Sequence, residues 1–116
     1  MKEKDIAEEE KLYKIMVNYK WGFIDKTGKV VIEPKYRVAE SFSEGLACVY
    51  IEDRYGFIDK TGKIVIEPKF DSAGSFSEGL VAVMIGDKYG FIDKTGKIVI
   101  EPKFDVIYSR SMGLLL

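Results

Sequence analysis

Residues 55–70 read YGFIDKTGKIVIEPKF, and the same sixteen residues recur without a change at positions 89–104. A third copy at positions 21–36 reads WGFIDKTGKVVIEPKY and differs at three positions. Successive copies begin 34 residues apart (55 − 21 = 34 and 89 − 55 = 34). A fixed period of this size is typical of repeat proteins, in which each unit buries its apolar face against its neighbours. The chain is therefore predicted to be a stack of three similar units that together form one domain.

The repeat frame extends over almost the whole chain. Leucine occurs one period apart at positions 12, 46, 80 and 114, and all three prolines fall at one repeat position. We therefore assign residues 1–11 to an acidic N-terminal tail or short helix, and residues 12–116 to a single β domain. Within that domain the expected leading strand is 12–20, and the expected repeat cores are 21–54, 55–88 and 89–116.

The second copy shows what one unit is expected to look like. Residues 55–59 and 63–67 are rich in aromatic and β-branched side chains and predict two strands of a hairpin. Pro68 is expected to end the second of them, because proline has no N–H to donate to a sheet. A serine- and glycine-rich excursion at residues 70–78 then leads to a third strand at residues 80–85. The predicted fold class is all-β, with three tandem antiparallel β-meander repeats in an open twisted stack rather than a closed barrel.

Composition narrows the functional classes. The 116-residue chain has a net charge of −1, so nucleic acid is not an expected partner. It has no apolar run long enough for a membrane-spanning segment and no hydrophobic N-terminal signal, so no membrane association is expected. Cys48 is the single cysteine, which excludes an internal disulfide, and it is expected to be buried because Ala82 takes the same repeat position. These features together predict a cytoplasmic protein.

The motifs of each unit resemble those of the bacterial WG-repeat family. The pattern is an aromatic residue and glycine followed by FIDKTGK, then IEPK, then FSEGL in the first two copies. The naming dipeptide is Trp21-Gly22 in the first copy and becomes Tyr55-Gly56 and Tyr89-Gly90 in the others. The resemblance covers residues 12–116 and implies a β-rich repeat module. It implies no catalytic residues, and no function follows from it alone.

The residues give little sign of catalytic chemistry. Histidine, the commonest general base and metal ligand, does not occur in the chain. The turns that contain Asp25, Asp59 and Asp93 each offer one carboxylate, whereas calcium prefers six to eight oxygen ligands. We therefore expect these aspartates to cap their turns by accepting backbone hydrogen bonds. The sequence predicts a protein that is not an enzyme and that has no metal or cofactor.

Partner choice is expected to be encoded where the copies disagree. Arg37 stands where the other copies have Asp71 and Asp105, and Tyr50 stands where they have methionine. Tyrosine and arginine are enriched at the energetic centres of interfaces. The competing explanation is sequence drift, together with capping of the last repeat. The candidate partner-binding residues are Tyr19, Arg37, Glu40, Tyr50, Arg54, Tyr108 and Arg110.

The apolar C-terminal residues Leu114, Leu115 and Leu116 predict a strand with an exposed edge. This strand is expected to pair with a second copy of the chain or to close against residues 12–17. The leading function is a non-catalytic protein-interaction module, an adaptor or inhibitor, that binds an unidentified protein through a loop-bearing face. The alternatives are a glycan or cell-wall binding module and a self-assembling structural unit. Exposed rings at Trp21, Tyr55 and Tyr89 would favour sugar, and buried rings would favour a protein partner.

Overall fold

The computed structural model describes residues 11–109 and 113–115, with side chains up to residue 107. Every regular element in this part of the chain is a β-strand. The strands are β1 Tyr13–Val17, β2 Lys20–Ile24, β3 Val30–Tyr36, β4 Ala47–Ile51, β5 Arg54–Ile58, β6 Ile64–Phe70, β7 Ser72–Ala73, β8 Leu80–Ile85, β9 Lys88–Asp93, β10 Ile98–Phe104, β11 Ile107–Ser109 and β12 Gly113–Leu115.

The strands form three antiparallel meanders that follow the sequence repeat. Below, a repeat of the structure is one such sheet together with the excursion after its last strand. The second repeat therefore begins at β4 and includes residues 47–54, which belong to the first repeat core in the sequence-based division. The sheet orders are β1-β2-β3, β4-β5-β6 and β10-β9-β8-β7, and a separate two-stranded ribbon joins β11 to β12. Equivalent pairs lie one period apart, such as Met16 with Trp21, Tyr50 with Tyr55 and Met84 with Tyr89. Over the described residues no pairing joins the first sheet to the last. The predicted open stack of all-β repeats is confirmed.

Each meander contains an irregularity where its third strand passes the glycine of the aromatic-glycine dipeptide. Phe57 pairs with Ile66 and Tyr55 pairs with Phe70, so four steps along β6 match two steps along β5. Pro68 lies within this bulge, where its missing N–H breaks no ladder hydrogen bond. The prediction that Pro68 ends the strand was therefore wrong, because β6 continues through it to Phe70.

Two apolar cores hold the three sheets together. The first contains Phe23, Ile32 and Tyr36 of the first sheet, packed with Ala47, Val49 and Ile58 of the second, and Ala39 of the intervening excursion. The second core holds the residues one period later, including Phe57, Ile66 and Phe70 with Val81, Val83 and Ile92. Each sheet therefore buries its neighbour's apolar face, as the repeat period predicted.

The long excursions of the first two repeats each add an extended segment to the sheet of the next unit. β7 pairs with β8 through Ser72–Met84 and Ala73–Val83, and the equivalent residue Ala39 forms a bridge with Val49. The sequence predicted a loop at residues 70–78 and missed this pairing. The sequence gives little indication of this pairing, because β7 is only two residues long.

Polar contacts also tie successive repeats together. The Glu44 carboxylate accepts hydrogen bonds from the backbone N–H groups of Glu78 (2.5 Å) and Gly79 (2.9 Å) in the next unit. The Ser43 hydroxyl donates to the Phe76 carbonyl at 2.6 Å. Glu78 and Gly79 have φ values of +53° and +82°, and consecutive N–H groups in such a turn form a concavity that suits an anion. The carboxylate of one unit thus fixes the turn of the next.

The C-terminal ribbon differs from the expected arrangement. Leu114 pairs with Tyr108 and Leu115 pairs with Ile107, so β12 pairs with the preceding strand of its own chain. Closure of this strand against residues 12–17 is therefore not the arrangement found, because β11 is nearer in sequence and provides the partner edge. Leu116 lies outside the described residues. Pairing with a second copy stays a prediction.

Candidate functional site

The three aspartate turns are structural, and the capping interpretation is confirmed. In the first turn Asp25 Oδ1 accepts hydrogen bonds from the Thr27 backbone N–H (2.9 Å), the Thr27 hydroxyl (2.6 Å) and the Lys29 N–H (3.1 Å). Asp59 and Asp93 make the same three bonds at the same distances. Each carboxylate therefore closes its own turn.

These hydrogen bonds predict how stability depends on pH. The threonine hydroxyl is the largest cause that holds the pKa of Asp25, Asp59 and Asp93 below the ordinary value of 3.8. A carboxyl group with a depressed folded-state pKa stabilises the fold above its unfolded-state pKa, and this stabilisation is lost as pH falls through the folded value. The urea midpoint is therefore expected to decline below about pH 4.

The matched variants for this prediction remove three carboxylates at two sets of equivalent positions. Changing all three turn aspartates to asparagine is expected to lower the midpoint at pH 7 and to flatten its decline in acid. Changing the exposed strand residues Glu33, Glu67 and Glu101 to glutamine should leave most of that decline in place. Equal acid sensitivity in the wild type and the aspartate variant would contradict the prediction.

The aromatic ladder of the naming dipeptide lies against the core and does not form an exposed row. Trp21 and Tyr55 are half-buried at the edges of the first and second cores, and Tyr89 is only 6% exposed. The Lys14 ammonium lies 4.5 Å from the centroid of the Trp21 ring, which partly covers that ring as well. Sugar binding by stacking needs an accessible ring face, so this ladder is a poor platform for a glycan.

Cys48 lies in the second core, as its alignment with Ala82 predicted. Its side chain is 2% exposed, and burial raises the pKa of the thiol to about 12. A thiol with such a pKa is protonated at neutral pH, whereas the thiolate is the nucleophilic form. Cys48 therefore fills space in the core rather than offering a reactive group.

The structure brings two of the predicted partner-binding residues, Arg37 and Tyr50, into one groove. Tyr19 is 86% exposed in the turn before β2, and Glu40 is exposed in the first excursion, but neither lines this groove. Arg54 forms an ion pair with Asp71. Tyr108 belongs to β11, its side chain is not among those described, and Arg110 lies outside the described residues.

This groove, which we call the junction groove, has a volume of about 430 Å³ and lies between the first and second repeats. The first repeat contributes Lys20, Lys35 and Arg37 to its lining, together with the buried Tyr36. The second repeat contributes further residues that include Tyr50, Glu52 and Asp53. The groove thus combines three cationic side chains, two carboxylates and a half-buried tyrosine.

The hairpin turn between β4 and β5 forms one wall of the junction groove. Glu52 and Asp53 have φ values of +49° and +73°, as a two-residue type I′ turn requires at both central positions. The Tyr50 hydroxyl donates a hydrogen bond to Asp53 Oδ1 at 3.3 Å, and the Tyr50 ring lies 4.9 Å from the Tyr55 ring. These contacts orient the tyrosine at the mouth of the groove before any ligand binds.

Four groove residues were not predicted from the sequence: Lys20, Lys35, Glu52 and Asp53. Lys35 belongs to the repeated IEPK motif and so showed no departure between copies. Lys20 becomes informative only when it is considered together with Arg37, because the equivalent pairs in the other copies are Arg54 with Asp71 and Lys88 with Asp105. Comparing pairs of positions, rather than single positions, would have shown this signal.

A second groove of about 650 Å³ lies at the other end of β1 and is lined by residues that include Lys11, Lys14, Phe42 and Lys60. Lys14 already donates to the Ala39 carbonyl at 3.0 Å. This groove contains none of the candidate partner-binding residues.

Among residues 11–109 and 113–115 no cluster of acidic, cysteine or histidine side chains could hold a metal ion. The same residues include no helix with the length and apolar character needed to cross a membrane.

Comparison with known families agrees with the repeat structure. The profile of the WG containing repeat matches residues 21–55, 55–89 and 89–111. The chain therefore belongs to the WG-repeat family, and successive matched segments begin 34 residues apart, as the three sheets of the fold repeat. Searches of curated proteins and of solved structures gave no match.

Proposed function

We propose that this chain is a non-catalytic protein-interaction module that binds its partner at the junction groove. The observation that carries this proposal is that Arg37 and Tyr50, two departures from the repeat template, line the same groove between the first and second repeats. Drift alone gives no reason for an arginine and a tyrosine to replace template residues on both walls of one groove. Arginine and tyrosine are also among the side chains that most often dominate the energetics of interfaces.

The burial of the aromatic ladder supports a protein ligand over a sugar. The nearly complete burial of Tyr89 and the partial burial of Trp21 and Tyr55 leave no row of open rings on which a glycan could stack. The junction groove instead presents charged groups beside one oriented tyrosine. A bacterial cytoplasmic protein without catalytic activity, acting as an adaptor or inhibitor, is the function that we propose on this basis.

Affinity capture with a template-restored variant tests the proposal. This variant carries Arg37→Asp and Tyr50→Met. The two changes give the junction groove the residue types that occur one period later, at Asp71 and Met84. Because the second and third repeats already accommodate these side chains, the variant is expected to fold. The wild type is expected to enrich a specific protein from host lysate, and the variant is expected to lose it.

The control variant is Lys69→Asp, which changes the net charge as much as Arg37→Asp does. Lys69 is exposed and takes the repeat position of Lys35 in the next unit. Capture should survive this change if the junction groove binds the partner. Capture of the same proteins by the wild type and the template-restored variant would contradict the proposed site, and no specific capture by a folded wild type would contradict the proposed function.

A further inference from the structure

An ion pair recurs at the same position of the second and third repeats. Arg54, the first residue of β5, donates to Asp71, and Lys88, the first residue of β9, donates to Asp105. The Asp71 carboxylate has a second role, because its Oδ2 accepts the backbone N–H of Gly86 in the next hairpin turn at 2.8 Å. One carboxylate thus joins a cation of its own repeat to the turn of the following repeat.

The junction of the first and second repeats has both partners of this carboxylate but not the carboxylate itself. Lys20 takes the position of Arg54, and Glu52 takes the position of Gly86, whereas Arg37 takes the position of Asp71. Two cations therefore share a place at which the other repeats have an ion pair. Over residues 11–109, neither Lys20 nor Arg37 forms an ion pair with an acidic side chain.

Charge in the junction groove is consequently unbalanced on one side. Lys20, Lys35 and Arg37 line the wall that belongs to the first repeat, and Glu52 and Asp53 lie on the opposite turn. An arginine guanidinium binds a carboxylate through two parallel hydrogen bonds, and such charge-assisted bonds are among the strongest in proteins. A neighbouring lysine adds attraction for the same anion.

We propose that the junction groove binds a single carboxylate side chain on a peptide segment of the partner. That carboxylate takes the role that Asp71 has in the second repeat, contacting Lys20 and Arg37 and accepting the Glu52 N–H. This inference rests on the proposed function and adds the chemistry of the partner. Glu52 and Asp53 repel a long acidic run, so the preferred segment carries one acidic residue between neutral or basic neighbours.

The direct test uses two short blocked peptides, one with a central glutamate between glycines and one with a glutamine in its place. Binding is followed by the amide shifts of the ¹⁵N-labelled full chain at low salt. The glutamate peptide is expected to shift the amides of Lys20, Arg37 and Glu52 and to bind about tenfold more tightly than the glutamine peptide. Raising the salt concentration should weaken this binding, because the groove is open to solvent.

The decisive variant is Arg37→Asp, which restores the template ion pair with Lys20. It is expected to stay folded and to weaken binding of the glutamate peptide by about tenfold or more. The matched Lys69→Asp variant should change the affinity less than about twofold. Equal binding of the two peptides, or unchanged binding by Arg37→Asp, would overturn the inference.

Inorganic phosphate serves as the competing anion in the same assay. Tighter binding of phosphate than of the glutamate peptide, with shifts at the same amides, would overturn the assignment of a carboxylate ligand.

The outcome of the peptide assay can be distinguished from the outcome of the capture experiment. A captured partner that depends on the junction groove but keeps its affinity at high salt and after loss of its acidic residues supports the proposed function and overturns this inference. If the glutamate peptide binds but no protein is captured, this inference is supported and the proposed function is overturned.

Discussion

Replacing Gly56 with alanine is expected to destabilise the protein by about 3 kcal/mol or more, which corresponds to a fall in Tm of about 10 °C. A Cβ atom at this position would lie 2.7 Å from the Ile66 carbonyl oxygen and 2.8 Å from the Pro68 nitrogen. These neighbours are backbone atoms of the bulged strand β6, so no side chain can rotate away to relieve the contact. A loss of this size is a large part of the stability of an ordinary domain. Thermal and urea unfolding measure it.

The control for this prediction is Gly86→Asn. Gly86 has a φ of +65° with no atom near its missing Cβ, and Asn18 takes the same repeat position with a φ of +52°. Asparagine is one of the residues that tolerate this left-handed conformation, so the substitution is expected to change stability by less than about 1 kcal/mol. A Gly56→Ala protein as stable as Gly86→Asn would show that β6 can move away from β5, contrary to the close approach seen here.

Replacing Phe57 with alanine is expected to cost about 3–5 kcal/mol, because this change leaves a cavity in a closely packed core. Phe57 is 1% exposed in the second core, and its ring meets that of Phe76 edge to face at a centroid distance of 5.0 Å. Phe91 occupies the same repeat position one period later and is only half-buried. The same substitution at Phe91 is therefore expected to cost at most about half as much. Urea unfolding of the two variants measures the difference.

This pair of variants tests the stacking of repeats as well as the packing of one residue. The two phenylalanines lie in identical sixteen-residue segments, so local sequence cannot account for unequal losses. The differences lie outside those segments: Phe57 shares a core with Val81 and Val83 of the third sheet and with Phe76 of the excursion, whereas the third copy has arginine at the position of Phe76. Equal destabilisation by Phe57→Ala and Phe91→Ala would contradict the arrangement of the cores.

Most of the fold follows from the sequence because the same pattern of strand and turn residues occurs in three copies. The segments rich in aromatic and β-branched residues, the glycine-containing turns and the fixed period predicted the meanders and their stacking. The continuation of β6 through Pro68 did not follow, because proline's usual effect on a regular strand is reversed inside a bulge. The pairing of β7 with β8 is a contact between repeats, and two residues carry too little pattern to predict it.

The candidate site was only partly predictable for a different reason. Comparing single positions found Arg37 and Tyr50, both of which line the junction groove. It also selected Arg54, which proved to be half of an ion pair within its own repeat. The charged side chains at this position of the repeat interact in pairs that lie 17 residues apart in sequence, such as Arg54 and Asp71. Such pairs become apparent only when the register of the strands places the two residues side by side.

The identity of residues 55–70 and 89–104 has a consequence for the kinetics of folding. The β5–β6 hairpin and the β9–β10 hairpin present the same side chains, so a refolding chain can place either of them beside a given neighbour. Assembly of the wrong unit, within one molecule or between two, is a characteristic failure of repeat proteins. Selection of the correct order then depends on strands β4 and β8, where Ala47, Cys48 and Tyr50 are replaced by Val81, Ala82 and Met84. These few differences between β4 and β8 distinguish native from shuffled order while the chain folds.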